Sequence, residues 1–142
     1  MSCIFCKIRD GVAPSYKVYE DEHTLAFLDI NPVSDGHILL ITREHTQYIE
    51  ELPEATAEVL MKTMMKIVPP VQRAMNSTDC NILINNGPNA GQLIPHVHIH
   101  IIPRPTNVGS RLFEGFSRFK PRKEEYYQEI AEKIRSEIEA SR

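Results

Sequence analysis

Across Pro95-His96-Val97-His98-Ile99-His100-Ile101-Ile102-Pro103, three histidines alternate with branched aliphatic residues and a proline closes each end. A period of two, rich in Val and Ile, fits a β-strand rather than a helix. On such a strand His96, His98 and His100 leave from one face, and Val97, Ile99 and Ile101 from the other. Pro95 suits the first position, where no ladder donor need be lost. Residues two apart lie roughly 6.5–7 Å apart along a strand, about the span of a phosphate with its bridging oxygens. Three imidazoles in a row therefore offer a surface for an oxyanion, a metal, or both; the plainer alternative is a polar outer face. Half of the six histidines fall in this one segment, which weighs against the plainer alternative.

The rest of the chain supplies partners for that strand. Tyr16–Glu20 and Thr24–Ile30 alternate well enough to be two strands, and the short link between them favours a hairpin. After the turn signals Asn31-Pro32 and Asp35-Gly36, the run from Gly36 to Thr42 reads as a buried third strand. A short helical turn is expected from Glu44 to Glu51, with His45 near its start. From Pro53 to Asn76 apolar residues recur at three- and four-residue spacing, as an amphipathic helix requires. Pro69-Pro70 predicts a kink or break there, because each proline removes an N–H donor. Met61, Met64 and Met65 are expected as core filler or subunit-interface surface. Cys80–Asn86 reads as a fourth strand, and a loop of turn formers from Asn85 to Gln92 leads into the histidine segment. After Pro105 come a Gly- and Ser-containing loop, a basic patch (Arg118, Lys120, Arg122, Lys123) and a charged helix from Glu124 to Ala140. That helix carries Tyr127, Ile130, Ala131, Ile134 and Ile138 on one face.

A chain of 142 residues is expected to form one domain with a core that needs no staples. A formal net charge of -3 argues against broad attraction to nucleic acid or anionic lipid. No apolar run approaches the length of a membrane span, and the first residues lack the pattern of a secretory signal. Three cysteines, two of them as Cys3-x-x-Cys6, do not make a disulfide framework and suit a reducing, cytoplasmic setting.

The run from His96 to Ile102 resembles the signature of the histidine triad (HIT) family: three histidines alternating with hydrophobic residues, then two more hydrophobics. Phe5-Cys6-Lys7-Ile8, Ala26-Phe27-Leu28-Asp29-Ile30-Asn31-Pro32, Gly36-His37-Ile38-Leu39, Arg43-Glu44-His45 and Asn85-Asn86-Gly87 resemble further family landmarks in the expected order. The resemblance covers about residues 3–104. It implies an α+β fold with an antiparallel sheet of about five strands and two main helices. It also implies a homodimer whose two sheets join, and nucleotide-phosphate chemistry in each subunit. The expected organisation is one HIT-like domain over residues 1–142, with its core in 3–104 and a loop and helix in 105–142.

Residue by residue, the resemblance implies that His98, the middle histidine, attacks the α-phosphorus of a nucleotide. A neutral imidazole can do this through one nitrogen while the other is held as N–H. It implies that His100 contacts the α-phosphate, that His37 lies close by, and that Asn85 hydrogen-bonds the phosphate or leaving group. Gln92 offers an amide donor to the same oxygens. Asp29 matches the acidic residue that accepts both ribose hydroxyls, and Phe5, Ile8 and Phe27 match the walls of a pocket for a purine base. Cys3 and Cys6 are half of a tetrahedral zinc site. His45 and His96 are the candidates to complete it, as in some family members; two free cysteines are the alternative. Leu93 departs from the Ser or Thr that several branches carry there, which bears on phosphoramidate cleavage. The leading expectation is a nucleotide hydrolase, a purine nucleoside phosphoramidase or a dinucleoside polyphosphate hydrolase. A nucleotide-binding interaction protein with little turnover is the alternative.

Overall fold

Residues 3–105 and 122–141 are described by a computed structural model. Five strands form one antiparallel sheet: β1 (Lys17–Glu20), β2 (Thr24–Leu28), β3 (Ile38–Thr42), β4 (Asp79–Leu83) and β5 (His98–Arg104), in the order β1-β2-β3-β5-β4. Around the sheet lie a short helix α1 (Ile4–Arg9) and two long ones, α2 (Glu54–Ala74) and α3 (Glu124–Ala140). This is the α+β architecture expected.

The strands alternate between two apolar clusters, and this places the histidines. Ala26, Leu28, Ile38, Leu40, Ile99 and Ile101 face the larger cluster, where Leu60, Ile67 and Val71 of α2 and Ile130, Ile134 and Ile138 of α3 close over them. Each such fully buried aliphatic side chain contributes on the order of 1.5–3 kcal/mol. Leu25, Phe27, Leu39 and Ile41 face the opposite way and meet Cys3, Phe5 and Ile8 from the α1 segment. Leu39 pairs with His100 and Ile41 with His98 across the β3–β5 ladder, so the two histidines share the face that α1 partly covers.

The β1–β2 hairpin forms around Asp21, whose carboxylate accepts the N–H groups of His23 and Thr24 at 2.8 Å each. Of the kink or break expected at Pro69-Pro70, the break does not occur: α2 runs through both prolines to Ala74 as one helix. The carbonyls that lose a partner belong to Met65 and Lys66, both on the exposed side, where water can serve them. Helical structure between Glu44 and Glu51 is confined to a 3-10 turn at Ile49–Glu51. The histidine strand begins at His98, not at Pro95, and passes through Pro103. Val97 N–H donates instead to Thr46 O at 2.7 Å, and the His96 ring bonds Thr42, so this stretch leaves the regular ladder. Pro103 lies beyond Ile101, the last β5 residue paired with β3, where one flank needs no ladder donor.

Met64 packs partly buried against the larger cluster, whereas Met61 and Met65 are exposed. In the basic patch, Arg122 and Lys123 are exposed; Arg118 and Lys120, with the loop after Pro105, lie outside the described residues. No helix among the described residues is long and apolar enough to cross a membrane.

Candidate active site and metal centre

The α1 segment is six residues long and has no side-chain cap at its start, too short to persist without tertiary contacts. It is held at Cys3 and Cys6. Cys3 Sγ lies 3.5 Å and Cys6 Sγ 3.7 Å from His96 Nδ1, Cys6 Sγ lies 3.3 Å from His45 Nδ1, and the two Nδ1 atoms are 3.3 Å apart. All four ligand atoms fall within 4.8 Å of one another. A tetrahedron built on usual Zn–S and Zn–N bond lengths has edges of about 3.3–3.8 Å, so these spacings fit a zinc ion. The protonation pattern fits as well: His96 Nε2–H donates to Thr42 O at 2.7 Å, which leaves Nδ1 as a lone pair aimed at the sulfurs. Burial pushes the His96 ring down to about 4, despite that carbonyl, so it is neutral as a ligand must be.

Asp29, His37 and His100 form the second convergence of possible metal ligands, and here the protons are arranged differently. Val33 N–H donates to His37 Nδ1 at 3.0 Å. A backbone N–H can only donate, so in the neutral ring the proton sits on His37 Nε2. That Nε2 lies 3.0 Å from His100 Nδ1 and 3.4 Å from Asp29 Oδ2. His37 therefore donates to His100, and the His100 proton resides on Nε2. A metal on His37 Nε2 would require the ring to give up its Val33 bond, so the hydrogen bonds of this cluster favour a chain of protons over a cation at His37. Burial first, then the neighbouring His100 and His98, push His37 down to about 3; burial and His98 push His100 down to about 4. The Asp29–His37 contact is thus not an ion pair at neutral pH. The Asp29 carboxyl is itself pushed up to about 6 by burial, against the Asn31 N–H it accepts at 2.8 Å.

His98 sits between the two clusters. Its Nδ1–H donates to the His96 carbonyl at 2.7 Å, so Nε2 carries the lone pair. Burial lowers its pKa, opposed by that bond, and the residue is 5% exposed. Ring centroids of His98 and His100 are 5.0 Å apart, and Phe5 meets His98 edge-on at 5.1 Å. An imidazole with a fixed proton on one nitrogen and an uncharged lone pair on the other is equipped for nucleophilic attack.

Of the expected site residues, His37, His98, His100 and Asp29 come together, and Cys3, Cys6, His45 and His96 converge separately. His96 does not join His98 and His100 in a row; its ring points to the cysteines. Phe5, Ile8 and Phe27 are buried in one apolar cluster, Phe5 and Phe27 edge-on at 5.4 Å. Asn85 is half-buried, its Nδ2 donating to Gly91 O at 3.4 Å. Gln92 is engaged elsewhere: its Oε1 accepts Gly87 N–H at 2.8 Å and its Nε2 donates to Gln47 O at 2.9 Å. Its amide ties the 87–92 loop to the chain near Gln47. Leu93 is 89% exposed. The main-chain groups of Thr42, Val33 and His96 that fix the tautomers of His96, His37 and His98 carry almost no sequence signal: any residue supplies the carbonyls, and any but proline the N–H.

The HIT domain family model matches residues 10–107. The adenosine 5′-monophosphoramidase of Schizosaccharomyces pombe is 42% identical over 139 residues, covering 97% of this chain and 99% of that protein. An adenylylsulfatase of Arabidopsis thaliana is 44% identical over 102 residues, 72% of this chain and 52% of its own length. Among solved structures, a zinc-bound histidine triad family protein from Mycobacterium smegmatis has a TM-score of 0.84 at 31% identity, covering 99% of this chain and 95% of that one.

Proposed function

Because this chain belongs to the HIT family, we propose that it is a hydrolase releasing a nucleoside 5′-monophosphate through a covalent nucleotidyl-histidine on His98. The leaving group is an amine, a phosphate or a second nucleotide. The observation that carries this reading is the His98 Nδ1–H bond to the His96 carbonyl, which leaves a neutral Nε2 lone pair beside His100. Relatives named adenosine 5′-monophosphoramidase and adenylylsulfatase support an adenylyl substrate.

In the first step the Nε2 lone pair forms the N–P bond as the bond from phosphorus to the leaving group breaks, and the leaving group takes a proton from solvent. His100 donates its Nε2–H to a non-bridging oxygen, and Asn85 supplies an amide donor to the phosphate or leaving group. Water then attacks the phosphorus, giving a proton back to solvent as the N–P electrons return to His98, so the sum is addition of water across the original bond. Asp29 accepts the ribose hydroxyls, and the purine rests against the cluster of Phe5, Ile8 and Phe27. Zinc on Cys3, Cys6, His45 and His96 is structural, because four protein ligands leave no open position for catalysis. It fixes α1, and with it Phe5, against the start of the His98 strand.

The active form is a homodimer joined through its sheets. Strand β4 lies at a sheet edge, and Ile82 within it (45%) and Ile84 just beyond it (37%) are exposed, an edge of the kind that pairs with another chain. The whole chain acts as one domain, supported by α3 closing the same core as α2. A cytoplasmic setting suits three cysteines of which none forms a disulfide.

Incubation with adenosine 5′-phosphoramidate and with diadenosine polyphosphates tests the reading by AMP release. His98→Ala removes turnover while nucleotide binding persists; release of no AMP from any substrate by the unaltered protein favours nucleotide binding alone.

A further inference from the structure

The loop between β2 and β3 does more than connect them, because it supplies the Val33 N–H that sets the proton on His37. Ser34 Oγ–H, one residue on, donates to Pro103 O, three residues along β5 from His100. The Ser34 carbonyl accepts His37 N–H at 3.2 Å and closes the turn that returns the chain to His37. Helix α3 braces the same loop from outside: Tyr126 Oη–H donates to Asp35 Oδ1 at 2.5 Å and Tyr127 Oη–H to Ile30 O at 2.8 Å.

We infer that Ser34 is a positioning residue: by fastening this loop to β5 it holds Val33 N–H on His37 and so determines which nitrogen of His100 carries its proton. The inference rests on the hydrolase reading of the site. If the loop lifts from β5, His37 Nδ1 loses its obligatory donor, and the buried ring is free to move its proton to Nδ1. His37 Nε2 then faces His100 Nδ1 as a lone pair, and His100 must place its own proton there. His100 Nε2 turns from a donor into an acceptor, which repels a phosphoryl oxygen where it had attracted one.

The test combines nitrogen-15 histidine spectra, which report the tautomer of each ring, with turnover of adenosine 5′-phosphoramidate. In the unaltered protein His37 and His100 both show Nε2–H. Ser34→Ala gives a mixture containing Nδ1–H at both rings and lowers kcat about tenfold with KM little changed, since one oriented donor is lost part of the time. Ser34→Thr, which keeps the hydroxyl, restores both. Unchanged tautomers in Ser34→Ala overturn the inference even if the protein melts earlier, and shifted tautomers with unchanged kcat overturn it equally. Should Ser34→Ala fail to fold, Tyr126→Phe releases the loop at Asp35 and is expected to shift the tautomers in the same direction; no shift refutes it. An unaltered protein without turnover sinks the hydrolase reading, while the spectra still decide the proton placement.

Discussion

Replacing Asp29 by Asn should make the protein more stable in alkali relative to its behaviour in acid. The folded Asp29 carboxyl holds its proton up to about 6, against an ordinary value of 3.8, because burial opposes the charge more than the Asn31 N–H relieves it. A carboxyl that binds its proton more tightly in the folded state adds stability while protonated in both states. That contribution is complete below the ordinary value and disappears as pH rises through about 6. The full difference corresponds to about 3 kcal/mol, of which about 1.4 kcal/mol remains near pH 5 and almost nothing near pH 8. His37 and His100, held low by burial, act in the opposite sense as pH falls, so the comparison must be between variants and not along one profile. Urea unfolding of both proteins at about pH 5 and about pH 8 isolates the Asp29 part. The amide introduced by Asp29→Asn can still accept the Asn31 N–H and carries no titration, so the variant should gain about 1.4 kcal/mol on the unaltered protein between the two conditions. Parallel profiles would refute the claim that Asp29 is a carboxylate kept partly out of water at neutral pH. The same carboxyl should lose affinity for AMP below about pH 6, where it can no longer accept both ribose hydroxyls as an anion.

Other consequences are quicker to check. In buffered zinc, raising free metal to about 100 times its dissociation constant should add about 2.7 kcal/mol of stability, read as a rise in Tm; metal analysis of Cys3→Ser/Cys6→Ser should find the ion gone. Ile134→Ala, at a fully buried site between α3 and the sheet, should cost about 2–5 kcal/mol in urea unfolding. Gly36→Ala should cost more than about 1 kcal/mol, because φ is +84° and an added Cβ would lie 2.6 Å from Met75 Cγ; trimming Met75 relieves the contact but not the backbone strain.

Much of the sheet is legible in the chain because its patterns follow its packing: Ile38–Thr42, buried on both faces, reads as a nearly continuous apolar run, and Val97, Ile99 and Ile101 carry the period of two. The α3 face of Tyr127, Ile130, Ala131, Ile134 and Ile138 is equally plain. What escapes a one-dimensional reading is set by distant partners. His96 has the alternation of a strand residue, yet Thr42 and the cysteines take its ring. Pro69 and Pro70 look like a kink or break, yet the helix continues through them to Ala74. Gln92 stands just before the triad, and its ties to Gly87 through Oε1 and to Gln47 through one Nε2–H are announced by no sequence pattern. The α1 segment gives little helical signal because six residues cannot sustain a helix without Phe5 and Ile8 packing beneath it. The tautomers of His37, His96 and His98 depend on main-chain groups that nearly every residue type supplies, and that of His100 on the His37 ring, so their order is visible only in three dimensions.

The central claim is that His98 Nε2 bonds to phosphorus during turnover. Rapid acid-free quenching of the protein with adenosine 5′-phosphoramidate, followed by peptide mass analysis and phosphorus NMR, tests it directly. The expected result is one AMP on the His96–Ile102 peptide, attached at Nε2 of His98, forming and decaying at rates that match AMP release. AMP accumulating with that peptide unmodified, or with the nucleotide on another residue, would contradict the account.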